Sequence, residues 1–302
     1  MESLQINILV IKHGALGDII QSNGILKNIR QFHKEAKITL LTCNQFLNLM
    51  NRCPYIDNVE IDDRLSFFHV YRHFGFFKNL KKQNYSLVYD LQNSFRTSLY
   101  RKFFLRSPRW ISTNQKKHSV SGLRGLIDML SENKVPTQNA INPDISWIPT
   151  NVTKILKNKR IDGSYIALFP GSSKNHPEKR WPFYDELAKK LIKNDIKVVT
   201  ILGPDEANLK ETCPGYILDN LDWSDLAGII HSASYVIGND TGPIHIASCL
   251  GKPGFAIFGS TTSAKRSELK RLKFDVLKVD DLRALSALEV YAKIKKDKNF
   301  KI

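Results

Sequence analysis

Residues Ile6–Ile11 form an apolar run broken only by Asn7. That pattern fits a strand buried on both faces of a parallel sheet, not one with a solvated side. A turn holding Gly14 and Gly17 follows. Helical periodicity then runs from Ile19 to Phe32 and puts Ile20, Ile25, Leu26 and Ile29 on one face. A further strand pattern lies at Lys37–Thr42. Parallel strands need a crossover, and strand–loop–helix–strand supplies one. The expected class is therefore α/β with a doubly wound sheet.

The pattern then repeats. Strands are expected at Val59–Ile61 and Leu87–Asp90, with a basic, aromatic helical stretch, Leu65–Lys82, between them. The segment Asn133–Thr150, with Pro136, Pro143 and Pro149, reads as a linker. A second α/β series follows it: strands at Tyr165–Phe169, Lys197–Leu202, Tyr235–Gly238 and Gly254–Phe258, and helices at Trp181–Lys193, Trp223–Ser232 and Ile244–Leu250. A chain of 302 residues has room for two such domains. They are expected at residues 1–148 and 149–302. The terminal helix, Asp281–Lys296, is free to pack back on the first domain. Two such domains place a cleft at the carboxyl ends of both sheets.

Composition narrows the classes. With 42% hydrophobic and 10% aromatic residues the chain is globular. The four cysteines lie far apart and give neither zinc spacing nor a disulfide framework, and no metal site is expected. No apolar run is long enough to cross a membrane, and MESLQINILVIK lacks the layout of a signal peptide. A cytoplasmic protein is expected, with contact to the inner membrane face as an option. The net charge of +16 fits a nucleic acid, an anionic membrane or an anionic substrate, or merely reflects lysine-rich coding.

Three loops carry candidate chemistry. Gly14 and Gly17 permit a tight turn before a helix start that attracts anions. Asp18 is either a first-turn helix acid or a carboxylate placed to take a proton from a hydroxyl. The loop lacks the G-x-G-x-x-G and Lys-Ser/Thr patterns, so a nicotinamide or P-loop site is poorly supported. In the second series, Pro170-Gly171-Ser172-Ser173 ends a strand and Lys179-Arg180-Trp181-Pro182 opens a helix. Ser172 and Ser173 can wrap a diphosphate that Lys179 neutralises, or the segment is an ordinary loop with a solvated Lys-Arg pair. Gly238-Asn239-Asp240-Thr241-Gly242-Pro243-Ile244-His245 is the sharpest feature: a strand, a small-residue loop and a helix N-terminus. Asp240 and Thr241 can bond sugar hydroxyls, Gly242 lets an anion approach the helix start, and His245 can meet a phosphate or sugar oxygen. The alternatives are an N-cap for Asp240 and a core position for His245. Glu206 either accepts from ribose hydroxyls or is an exposed helix-start acid. Gly259-Ser260-Thr261-Thr262-Ser263 lies where the same ligand would continue.

Taken together, the stretches ILVIKHGALGDIIQSNGIL, FPGSSKNHPEKRWP and VIGNDTGPIHIASCLGKPGFAIFGSTT resemble the heptosyltransferase-like glycosyltransferases of family 9, in the family's order and over almost the whole chain. The resemblance implies a GT-B fold, two Rossmann-like domains facing across a cleft. It also implies inverting, metal-independent transfer from a nucleoside-diphosphate sugar, ADP-heptose leading, to a lipopolysaccharide-core or related lipid-linked glycan. It implies no cofactor. It makes Asp18 the general base and Lys179 the ligand of the donor phosphates. Asp240, Thr241, Gly242 and His245 would hold the donor, and Glu206 more loosely its nucleoside. The sequence departs from the family at Gln21-Ser22-Asn23-Gly24, at Asn175-His176-Pro177-Glu178 and in the final loop.

The region Phe67–Arg109, with Arg72, His73, Phe76, Phe77, Lys78, Lys81, Lys82, Arg96, Arg101, Lys102 and Arg106, suits an acceptor lying in an anionic membrane. It is equally a solvated basic face over core aromatics. Two other functions share the sequence evidence. One is a nucleotide-sugar epimerase or phosphorylase of the same fold. The other is a non-catalytic basic nucleic-acid binder, although no specific nucleic-acid motif is present.

Overall fold

A computed structural model describes residues 5–64, 70–113, 122–260 and 268–301, with the backbone alone at 70–74. The expected first strand is β1 (Asn7–Ile11), and its Ile8, Leu9, Val10 and Ile11 are fully buried. It pairs in parallel with β2 (Lys37–Thr42) and β4 (Leu87–Asp90). β3 (Asn58–Ile61) and β5 (Arg109–Ser112) close the two edges, giving the order β3-β2-β1-β4-β5. The helices are α1 (Leu16–Phe32), α2 (Leu47–Met50), α3 (Val70–Lys82), α4 (Phe95–Leu99), which runs into a wider π turn at Tyr100–Phe104, and α5 (Leu123–Glu132). The four residues expected on the buried face of α1 are at most 1% exposed.

The segment read as a linker is mostly packed structure. A Cβ at Gly24 of α1 would lie 2.2 Å from the Asn139 carbonyl, so glycine there admits the close approach of that chain. Asn139 Nδ2 also donates to the buried Asn28 Oδ1 at 2.7 Å, and Lys27 pairs with Asp144 at 3.2 Å. The Gln21–Gly24 departure is thus a packing feature of α1. The chain divides into two compact units, Met1–Trp147 and Ile148–Ile302.

The second unit holds six parallel strands: β6 (Ile166–Phe169), β7 (Val198–Leu202), β8 (Tyr216–Asp219), β9 (Tyr235–Asn239), β10 (Gly254–Phe258) and β11 (Phe274–Lys278). Their order is β11-β10-β9-β6-β7-β8, the Rossmann arrangement in full. Its helices are α6 (Thr153–Asn158), α7 (Tyr184–Lys193), α8 (Trp223–Ser232), α9 (Gly242–Cys249) and α10 (Ala287–Lys296). The sequence left α10 free to return to the first domain. Its Val290 and Ile294 are instead buried in the second unit's own core with Leu187 and Leu191 of α7. A fully buried side chain of that size contributes about 1.5–3 kcal/mol. A capping box between Ser286 and Glu289 starts the helix, which explains why it begins later than Asp281. No described helix is long and apolar enough to cross a membrane.

In each sheet the strand order reverses at one place, between β1 and β4 and between β6 and β9. There the crossovers leave on opposite faces, and the loops at the carboxyl ends open a crevice.

Candidate functional site

The loop after β1 stands at the first reversal. Gly14 has φ +128°, and a Cβ there would lie 2.7 Å from the Phe46 ring. Ala15 is the N-cap of α1 and supplies no side-chain bond, so Asp18 is a first-turn residue and not a cap. Its carboxylate is half exposed, 3.5 Å from the ammonium of the buried Lys12. The carboxylate is therefore reachable from solvent, beside a fixed cation and in the first turn of a helix.

Beneath this loop lies a buried network that sequence reasoning missed. Asp62, directly after β3, is 3% exposed. Arg96 of α4 donates to it twice, at 2.7 and 2.9 Å, and Tyr100 bonds the same carboxylate. His13 Nε2 lies 3.0 Å from Asp62 Oδ2, and the Arg64 N–H donates at 2.9 Å. Burial opposes ionisation of Asp62, but these donors outweigh it and hold the carboxyl well below the usual carboxylate range. The network therefore fixes His13, and with it the start of the Asp18 loop. The only trace in the sequence was an acid at a strand end, with partners spread from residue 13 to residue 100.

The network carries a stability prediction. A carboxylate with a depressed folded-state pKa stabilises above its unfolded value of about 3.9, and loses that contribution as pH falls. Asp62→Ala should cost about 3–5 kcal/mol at pH 7, as expected for breaking a buried pair. In thermal unfolding, the gap to wild type should narrow as pH drops from about 5 towards 3. A gap independent of pH would rule out the charge as its source.

The second reversal gathers the other predicted residues. Lys179 Nζ donates to Asp240 Oδ2 at 2.8 Å, with both side chains largely buried. His245, 9% exposed in α9, has Nε2 4.0 Å from Asp240 Oδ1. Thr241 is the extended N-cap of α9, its hydroxyl donating to the Asn239 carbonyl at 3.3 Å, and Gly242 begins the helix. Asp240 is thus not the N-cap. The serine pair is split. Ser172 is buried and accepts from Arg180 Nε at 3.0 Å, whereas Ser173 is exposed. The alternative of a solvated Lys-Arg pair fails at Arg180, which pins this loop.

Glu206 is neither exposed nor free-standing. Its Oε2 accepts from the Gly203 N–H at 2.8 Å, and a Cβ at Gly171 would fall 1.7 Å from its Oε1. Burial pushes its carboxyl up, and the Gly203 N–H opposes that. It braces the loops after β6 and β7, with the Ser172 N–H also bonding its carboxylate. Gly259 and Ser260 share a cavity of about 320 Å³ with Glu178, Arg180 and Arg283. Thr261, Thr262 and Ser263 lie outside the described residues. A larger groove, about 800 Å³, opens between β11 and α10 at the sheet edge and contains none of the predicted site residues. Among the described residues no cluster of three His, Cys, Asp or Glu could hold a metal ion.

The basic region of the first unit is mixed. Phe77 is core and stacks on Phe104 with ring centroids 3.6 Å apart. Arg96 is turned inward to Asp62. Lys78, Lys81, Lys82, Arg101, Lys102 and Arg106 are exposed, as are Phe95 and Phe103. The side chains of Arg72 and His73 lie outside the described residues.

Comparison with known proteins places these loops in context. The model for glycosyltransferase family 9 (heptosyltransferase) matches residues 129–280. Lipopolysaccharide heptosyltransferase 1 of Campylobacter coli is 25% identical, with 86% of each chain covered. Among solved structures, a family 9 glycosyl transferase from Veillonella parvula superposes with a TM-score of 0.79 at 17% identity, covering 98% of this chain and 97% of that one. The E. coli heptosyltransferase WaaC with ADP-2-deoxy-2-fluoro heptose gives 0.74 at 17% identity, covering 96% and 99%. The α/β fold is that of the GT-B heptosyltransferases.

Proposed function

The chain belongs to glycosyltransferase family 9, and from that premise we propose that it transfers heptose from ADP-heptose to a lipopolysaccharide-core acceptor, with inversion and without a metal. The observation that carries this reading is the Lys179–Asp240 pair beside the start of α9, at the reversal of the second sheet. A diphosphate entering there meets a cation and a positive helix end. The sugar meets the carboxylate of Asp240 and the hydroxyl of Thr241.

Asp18 takes the proton of the acceptor hydroxyl as its oxygen attacks the anomeric carbon. The bond to the diphosphate breaks from the opposite face, so the centre inverts and negative charge grows on the leaving group. Lys179, the Ser173 loop and the start of α9 stabilise that charge, the work a metal does elsewhere. The other end of the acceptor lies in a membrane at the inner face, where Phe95, Phe103 and the surrounding lysines and arginines meet anionic lipid. Thermal-shift titration with ADP-, UDP-, GDP- and dTDP-sugars tests the donor. Stabilisation by ADP-heptose alone is expected, and a shift with only another base would overturn the donor. Consumption of ADP-heptose with no acceptor present would favour an epimerase.

A further inference from the structure

Asn239 ends β9 and is fully buried, one residue before Asp240. Its Nδ2 donates to the carbonyls of Pro170 and Gly171, at 2.9 and 3.0 Å. Its Oδ1 accepts from the Trp181 N–H at 3.1 Å and the Tyr184 hydroxyl at 3.3 Å. A carboxamide has two N–H donors and two lone pairs on oxygen, so this one is saturated. Its four partners lie at the two ends of the single connection from β6 to α7, Tyr184 being the first residue of that helix. One end runs from Gly171 into Ser172 and Ser173. The other reaches Trp181 two residues after Lys179. Asn239 itself leads into Asp240 and Thr241. One side chain therefore ties both ends of the connection that carries Ser173 and Lys179 to the strand end that leads into Asp240. On its other side the Gly171 loop is backed by Glu206.

We infer that Asn239 is the positioning residue of the diphosphate pocket: it sets the Ser173 loop and Lys179 at the spacing that a diphosphate bridges. No other side chain of its size offers two donors and two acceptor sites. An aspartate of the same shape would turn two attractive contacts into an anion facing two carbonyls. A leucine would leave three backbone groups and a tyrosine hydroxyl without partners. The inference rests on the donor reading above and adds to it a residue that touches no substrate.

The test compares ADP with adenosine, which lacks the phosphates, by calorimetric titration of the full chain. Wild type is expected to bind ADP more tightly than adenosine. If it binds neither, the donor reading falls, and the inference with it. In Asn239→Asp at pH 8, ADP affinity should fall by about tenfold or more while adenosine affinity changes far less. Lowering the pH should restore part of the ADP affinity in this variant, because the introduced carboxyl regains one donor when it is protonated. If the variant does not fold, Asn239→Ser carries the comparison, since it keeps one donor and leaves room for a water. An unchanged ADP-to-adenosine ratio in a folded variant, whether both affinities fall or neither does, overturns the inference.

Discussion

Asp18→Ala should lower kcat by about 10²- to 10⁴-fold, the usual worth of general-base help, while ADP-heptose affinity stays nearly unchanged. The two effects separate because Asp18 belongs to the first unit and the groups proposed to hold the donor belong to the second. Asp18 is exposed, is not a cap, and bonds only a neighbouring lysine among its described contacts. Its removal should therefore leave the fold intact, and thermal unfolding should move little. Asp18→Asn keeps the shape but loses the basic oxygen, so it should be as impaired as alanine. Steady-state kinetics with saturating donor, alongside equilibrium binding of ADP, measure both quantities. Full turnover in either variant would remove Asp18 from the chemistry.

Lys179→Ala should lower kcat by about 10²–10³-fold, the range for removing one group that stabilises developing negative charge. It should also weaken ADP, because it leaves the Asp240 carboxylate facing an incoming diphosphate without its partner, 2.8 Å away in the intact protein. Adenosine, which carries no phosphate charge, should bind as before. Adding Asp240→Asn to Lys179→Ala should recover part of the ADP affinity by removing the uncompensated charge. The two substitutions should thus be non-additive, as expected for residues in contact. Equal losses of ADP and adenosine would instead point to a collapsed loop.

Much of this architecture is legible in the sequence because parallel strands are buried on both faces and read as apolar runs. β1, β2, β4, β7, β9 and β10 all announce themselves this way, and α8 falls on its expected bounds. The strands that escaped notice are β5, β8 and β11. Each lies at or near a sheet edge, and their partly exposed residues break the apolar run. The prolines of residues 133–150 suggested a free connection, but Gly24 and Asn28 of α1 were already shaped to receive that segment.

The candidate site was legible where chemistry is local. Asp240, Thr241, Gly242 and His245 sit on one loop and one helix turn, so spacing alone groups them. Lys179 was named from its neighbours, yet its pairing with Asp240 spans 61 residues and needs the fold to bring it about. The Asp62 network and the bonds of Asn239 are of the same kind. Each joins segments far apart in the chain, and no periodicity marks them. Asp18 stands between these cases. Spacing leaves it a helix-start acid, and the resemblance to family 9 makes it a base. The structure adds that it is reachable and lies beside Lys12.

The most direct test of the whole account is release of ADP from ADP-heptose with and without a lipopolysaccharide-core acceptor, with the product's anomeric configuration read by NMR. Release should depend on the acceptor, and the product's configuration should be opposite to that of the donor. Retained configuration, or no transfer to any core acceptor, would contradict the proposed inverting transfer.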